Sequence, residues 1–285
     1  MKLAITGASG HIGGMVASLL SNKGLPLILP LRNLAKVPAL PNVQARLFSY
    51  EDSALARQAL HNVDVLFMVS AAESPTREQA HLTLVQAAEQ AGVRHIVYLS
   101  FANAAANSTF TLARTHFVTE NAIKQTAMKY TFMRDNFYSE MMADIANEQG
   151  VIAGPAAAGQ VACVSQKDVA EAVANVLLNI VQGGVQHQNR TYTLTGGQAL
   201  SLAQIAAVLT SVTGKPYRYQ PETVEQAFAS RKANYPGTPD WQLEAWVSTY
   251  TAIALEELAT VSEDLPTLLG RSPRSFEQVV REKFV

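Results

Sequence analysis

The sequence predicts an α/β protein built on a doubly wound parallel sheet, with a smaller C-terminal lobe. Three observations predict it. Short β-rich runs alternate with helical stretches through the first half of the chain. The runs Val63–Ser70 and Val93–Ser100 are apolar almost throughout, as strands buried on both faces are. And a glycine loop, Gly7-Ala8-Ser9-Gly10-His11-Ile12-Gly13, follows the first of these runs and opens the first helix, which is the context of a Rossmann-type fold.

Taken in order, Leu3-Ala4-Ile5 reads as a first strand and His11 to Leu20 as a helix, with Gly24 shortly after its end. Leu27-Ile28-Leu29 reads as a second strand, made awkward by Pro26 and Pro30. Val43 to Phe48 is a weak third strand, Ala54 to Leu60 a helix, and Val63–Ser70 the fourth strand. For the next helix, Ser74 serves as cap, Pro75 suits the first position and Gly92 the C-terminal end. Val93–Ser100 is the fifth strand, about Thr115 to Thr126 a helix, and Tyr130 to Met133 the sixth strand. Helices of this length between strands imply right-handed βαβ units.

After residue 135 the rhythm changes. Val151 to Gly159, rich in Gly, Ala and Pro, reads as loop. Ser165 and Asp168 have the spacing of a capping box before the apolar helix Val169 to Val181, and Ser201 with Gln204 start another helix in the same way. Arg190 to Thr195 is one more strand, ended by Gly196-Gly197. Arg231 to Pro239 reads as loop, with helices from there to the end. The expected division is a dinucleotide-binding core over 1–135, rejoined by about 165–197, and a smaller lobe from 136–164 and 198–285.

Composition narrows the function. Over 285 residues, 48% hydrophobic and 16% charged is a globular balance, and a net charge of -1 gives no electrostatic case for nucleic acid or anionic membrane. No apolar run approaches the roughly 20 residues that span a bilayer. The N-terminal apolar stretch breaks at Gly7, too early for a secretory signal. Cys163 is the only cysteine, so no internal disulfide forms and a cytoplasmic location is expected. The six histidines show no metal-ligand spacing, so no metal is expected.

In the loop, Gly7 permits the tight turn, Gly10 lets the backbone approach a pyrophosphate, and Gly13 lets the helix pack closely on the sheet. The free N–H groups of the helix start, from Ser9 through His11 and Ile12, then attract phosphates. A site that prefers NAD places Asp or Glu at the end of strand two. Here the first 50 residues contain no acid at all, and Leu31-Arg32-Asn33 with Lys36 stands in its place. A guanidinium clamps a 2′-phosphate with two hydrogen bonds, so NADP(H) is predicted over NAD(H). The competing reading makes Arg32 and Lys36 ordinary solvated charges.

At this point the chain resembles the NmrA-like atypical short-chain dehydrogenases, which include NAD(P)H:quinone oxidoreductases and triphenylmethane reductase. The resemblance is carried by Thr6 to Gly14, Leu31-Arg32-Asn33, Ala91 to Tyr98, His116 with Glu120, Tyr130 to Arg134, Asn189 to Leu194, and Leu202 to Gly214. It implies a Rossmann sheet, a small C-terminal substrate lobe and a cleft between them. It also implies an NADPH-dependent oxidoreductase with a quinone-like or conjugated aromatic acceptor. Family members often carry an Asp at the end of strand three, and the matching position here is Ser49, beside Tyr50.

Ordinary short-chain dehydrogenases use Tyr-x-x-x-Lys on one helix, and no Tyr here has Lys four residues later. The equivalent helix carries His116 and Glu120, four apart and on one face. One reading has His116 donate a proton, oriented by Glu120. The other makes them an ordinary surface pair. Asn136, Phe137 and Tyr138 follow strand six, at the sheet edge where ligands sit, and Tyr138 is a third catalytic candidate. Ser70 and Ser100 close strands four and five and are candidates for the nicotinamide half, with Asn136. Trp241 and Trp246 read as core or partner contacts. The main alternative is a non-catalytic NADP-binding regulator; a nucleotide-sugar epimerase is disfavoured by the absent Tyr base. Oligomeric state is open.

Overall fold

The computed structural model describes residues 1–285. The elements run β1 (Leu3–Ile5), α1 (His11–Asn22), β2 (Leu27–Leu31), a 3₁₀ turn (Leu34–Lys36), β3 (Val43–Leu47), α2 (Ser53–Ala59), β4 (Val65–Met68), α3 (Arg77–Gln90), β5 (His95–Phe101), α4 (Thr111–Lys124) and β6 (Lys129–Asp135). Then follow α5 (Ser139–Asp144), β7 (Val151–Gly154), β8 (Gln160–Val161), α6 (Gln166–Val181), β9 (Arg190–Leu194), β10 (Leu200–Ser201) and α7 (Leu202–Thr213). The chain ends with β11 (Arg218–Pro221), α8 (Val224–Asn234), α9 (Asp240–Ala254), α10 (Asp264–Leu269) and α11 (Phe276–Phe284).

Seven strands form one central parallel sheet in the order β3-β2-β1-β4-β5-β6-β9. The order reverses between β1 and β4, which is the topological switch point of an open α/β sheet. Leu66, Met68, Ile96 and Tyr98 pack with α2 and α3 residues in one buried cluster, while the alternating Leu3, Ile5, Val65, Phe67 and Val97 are equally buried. Burial of both alternating sets explains why β4 and β5 read as continuous apolar runs.

Two compact units make up the chain. The first comprises Met1–Phe101, Thr115–Arg134 and Lys167–Thr193, and contains nearly all of the sheet. The second comprises Ala102–Arg114, Asp135–Gln166 and Leu194–Val285. In the second, α7 packs on α11, burying Leu202, Ile205 and Leu209 on one helix and Phe276, Val279 and Val280 on the other. No helix is long and apolar enough to cross a membrane.

Several elements differ from the sequence reading. Residues 151–159 do not form a plain loop: β7 pairs in parallel with β11, from Val151↔Arg218 to Gly154↔Pro221, and β8 pairs with β10. Strands this short are set by a partner about forty to seventy residues away, which local composition does not reveal. Arg231 to Asn234 belongs to α8, which starts at a capping box of Thr223 with Gln226. Helix α3 begins at Arg77 rather than at Pro75, and Ser74 does not cap it. β2 accommodates Pro30 because β1 is registered to it only through Ile28. At Pro30 the strand pairs with β3, at Arg46, so the missing N–H falls where β1 has no partner for it. The Ser201–Gln204 capping box is present as read.

Candidate functional site

Because the strands are parallel, the C-terminal ends of β1 to β5 share one edge. The glycine loop leaves β1 there. Gly7 has φ +66°, the left-handed region, and Gly10 donates its N–H back to the Gly7 carbonyl at 2.8 Å. A Cβ on Gly13 would lie 2.4 Å from that same Gly7 oxygen and 2.8 Å from the Thr6 oxygen. The loop and the first turn of α1 are thus in direct backbone contact. Gly10 caps α1 with no side-chain bond, so the first-turn N–H groups of His11, Ile12 and Gly13 have no acceptor within the helix. Ser9, Gly10 and His11 are exposed beside them, while Ile12 and Gly13 are buried.

One strand over, Arg32, Asn33 and Lys36 follow β2 and are exposed. Asn33 accepts the Ala35 N–H at 2.9 Å and caps the 3₁₀ turn that carries Lys36. Neither Arg32 nor Lys36 forms a salt bridge or side-chain hydrogen bond with another residue of the chain. Two unneutralised cations therefore lie beside a helix N-terminus, with no acid in the first 50 residues. That combination suits an anion and gives a ribose 2′-OH no carboxylate.

Beyond β3, Ser49 and Tyr50 are half-buried. The Ser49 hydroxyl accepts the Glu51 N–H, and the Tyr50 hydroxyl donates to the Val69 carbonyl and lies 3.0 Å from Thr6 Oγ1. Burial pushes the Tyr50 phenol up to about 12. Thr6 in turn accepts the Val69 N–H at 2.9 Å. These bonds tie the ends of β1, β3 and β4 together. Ser70, past the end of β4, is half-buried and keeps its hydroxyl free of protein partners.

Between α3, α4 and β5 lies a buried polar network. His116 and Glu120 are 7% and 1% exposed, which rules out a surface pair. Nor do they bond one another. Glu120 accepts from Ser100 at 2.6 Å and from Arg134 Nε and Nη2 at 2.8 and 2.6 Å. His116 lies between Arg77 Nη2 at 2.6 Å and the Tyr98 hydroxyl at 2.9 Å. A guanidinium can only donate, so His116 Nε2 is the acceptor and its proton sits on Nδ1, directed at Tyr98. Burial first, and then the Arg77 charge, hold the His116 pKa well below its usual 6.5. Both ring nitrogens of a neutral imidazole are therefore engaged.

Arg77, Tyr98 and Arg134 are the members of this network that sequence reasoning missed. Arg77 sits in what reads as a helix start, and nothing in its neighbours marks it as buried. It is 5% exposed, pairs with no carboxylate, and its Nε has no hydrogen-bond partner. With Glu120 matched to Arg134, the network keeps one cation in excess.

The other predicted residues, Asn136 and Tyr138, belong to the second unit. The Asn136 amide is already used, donating to the Leu258 carbonyl at 2.9 Å and accepting the Phe137 N–H at 2.8 Å. Phe137 is buried edge-on against Phe110, with centroids 5.0 Å apart. Tyr138 is half-buried and donates its hydroxyl to Asp135. Burial and that carboxylate hold its pKa well above the usual value. The sheet edge therefore gathers the glycine loop, Arg32, Asn33, Lys36 and Ser70. Ser100, His116 and Glu120 bond inside the network, and Asn136 and Tyr138 bond within their own unit.

Set against known proteins, residues 1–263 match the model of the NmrA-like family. Quinone oxidoreductase 2 of Escherichia coli (strain K12) is 32% identical over 290 residues, covering 99% of this chain and 98% of the relative. Among solved structures, the NADPH-dependent quinone oxidoreductase QOR2 of Escherichia coli complexed with NADPH has a TM-score of 0.89 at 31% identity, over 99% of this chain and 100% of that one. The Citrobacter sp. triphenylmethane reductase complexed with NADP(H) has a TM-score of 0.87 at 29% identity, covering 100% of both chains.

Proposed function

Because this chain belongs to the NmrA-like family, we propose that it is an NADP(H)-dependent oxidoreductase acting on a quinone-like or other conjugated aromatic acceptor. The observation that carries the reading is the sheet edge itself. The glycine loop offers uncapped N–H groups, and Arg32 and Lys36 stand beside it with no internal counter-charge. The residues fit the dinucleotide: Gly7 to Gly13 would hold its pyrophosphate and Arg32, with Asn33 and Lys36, its 2′-phosphate. Ser70, whose hydroxyl is unused, is the candidate for the nicotinamide half. The cofactor, when bound, supplies a hydride.

The chain's own part in the chemistry is positioning. His116, neutral and with both nitrogens taken, is a positioning residue that fixes α4 against β5. Ser100 and Glu120 hold Arg134 in the same way. Tyr138, with its proton committed to Asp135, offers a ring face for stacking. A quinone is a strong hydride acceptor, and water supplies the proton that completes the hydroquinone, so correct placement is the main demand on the protein.

The test is NADPH and NADH oxidation with a panel of quinones and dyes, on wild type and Arg32→Ala. We expect turnover favouring NADPH, and a KM for NADPH raised about 10- to 100-fold in Arg32→Ala, as loss of a charge-assisted phosphate contact implies, with little change for NADH. Equal NADPH affinity in both proteins would sink the 2′-phosphate assignment. One observation favours a non-catalytic NADP-binding regulator instead: His116 has both ring nitrogens bonded inside the network and Glu120 is held by Ser100 and Arg134, so neither acid–base candidate of α4 is free to serve a substrate. Tight NADP binding without turnover of any acceptor would decide for it.

A further inference from the structure

The second unit holds a cleft of about 790 Å³ that the dinucleotide reading does not use. Its walls come from α5, β7, β11, α8 and α9. Trp246 and Tyr250, one turn apart on α9, both line it. Tyr235 meets Trp246 edge-on, with centroids 5.3 Å apart, and Met141 lines it as well. The Arg231 guanidinium, also in the lining, lies 4.9 Å from the centre of the Tyr250 ring. The volume is that of a small-molecule site, and the aromatic faces suit a flat ring system.

Charge decides the class of that ring system. Four ionisable side chains line the cleft as anion or permanent cation: Asp144, Glu222, Arg218 and Arg231. Glu222 is matched by Arg231 at 2.8 Å, and Arg231 is further tied to the Ala153 carbonyl. Asp144 is matched by Lys283 at 2.7 Å. Arg218 alone has no partner for its side chain. The lining therefore presents aromatic walls and one unneutralised guanidinium, and no free carboxylate.

We propose that this cleft is a binding site for a flat aromatic monoanion, a carboxylate or sulfonate on a fused or extended ring. The ring lies against Trp246 and Tyr250, and the anionic group takes the fork of Arg218. Nothing in this assignment depends on the oxidoreductase reading.

The test uses the full chain without nicotinamide cofactor. 2-Naphthoate and its neutral counterpart 2-naphthamide are titrated calorimetrically, with tryptophan fluorescence as a second readout. Saturable one-to-one binding is expected, with naphthoate about tenfold tighter than naphthamide. Arg218→Ala, at an exposed position, should erase that preference and leave naphthamide binding unchanged. Trp246→Leu should weaken both ligands, and NADPH binding, measured on the same samples, should not move in either variant. Absence of saturable naphthoate binding, equal affinity for the two compounds, or a preference that survives Arg218→Ala overturns the proposal.

Discussion

Lowering the pH from 7.5 to 5 should cost this protein about 4 kcal/mol of folding stability from two histidines alone. His81 and His95 are 0% and 4% exposed, and burial depresses them to about 3 and about 4. The hydrogen bonds of His81 specify its neutral form. His81 Nε2 accepts the Ala71 N–H, and its Nδ1 faces a Thr119 hydroxyl that already donates to Thr115. His95 Nε2 likewise faces a Thr131 hydroxyl that donates to the His187 carbonyl. A base with a depressed folded pKa binds fewer protons folded than unfolded, so stability rises with pH across the interval. The contribution is complete about one unit above the ordinary value of 6.5. It falls by roughly 1.4 kcal/mol per unit per histidine until the folded pKa is reached. His116 shifts in the same direction and adds to the loss. Urea unfolding at pH 7.5, 6 and 5 measures this, and His81→Gln should flatten the dependence by about half of the paired loss. A stability that stays level between pH 7.5 and 5 would contradict the neutral network.

Gly13→Ala should abolish dinucleotide binding and destabilise the chain by roughly 1–3 kcal/mol, the usual cost of overpacking a tight contact. The added methyl would stand 2.4 Å from the Gly7 oxygen and 2.5 Å from the Gly7 carbon, both backbone atoms that cannot rotate away. Helix α1 must then retreat from β1, carrying its first-turn N–H groups with it. Gly14→Ala is the control. Its Cβ would sit 3.2 Å from the Ala8 oxygen, which a small adjustment relieves, and Ala favours the helix. Binding of NADPH by calorimetry, with urea midpoints for all three proteins, separates the outcomes. A Gly13→Ala protein that binds NADPH like wild type would show that the close approach of loop and helix does not position the site.

Both predictions concern features that the sequence exposed to very different degrees. The glycine loop was legible because its information is local: strand, turn and helix start lie within thirteen residues, and each glycine answers a backbone constraint there. Arg32 was legible for a similar reason, since an acid-free first 50 residues can be counted without a structure. The strand–helix alternation and the buried character of β4 and β5 were equally local, and they yielded the parallel sheet. The pairing of β7 with β11 was not, because neither strand is long enough to show a pattern without the other.

The histidine and glutamate of α4 mark the boundary. Sequence spacing alone determined that His116 and Glu120 share a helix face, and it suggested that one orients the other. Only the tertiary structure decided that they do not. Arg77 arrives from α3, Tyr98 and Ser100 from β5, and Arg134 from β6, and each offers His116 or Glu120 a partner nearer than the other. Those partners lie 14 to 39 residues away in the chain. Burial excludes water, so every polar atom must seek its bond within the protein, and which bond it makes depends on what the folded neighbours bring.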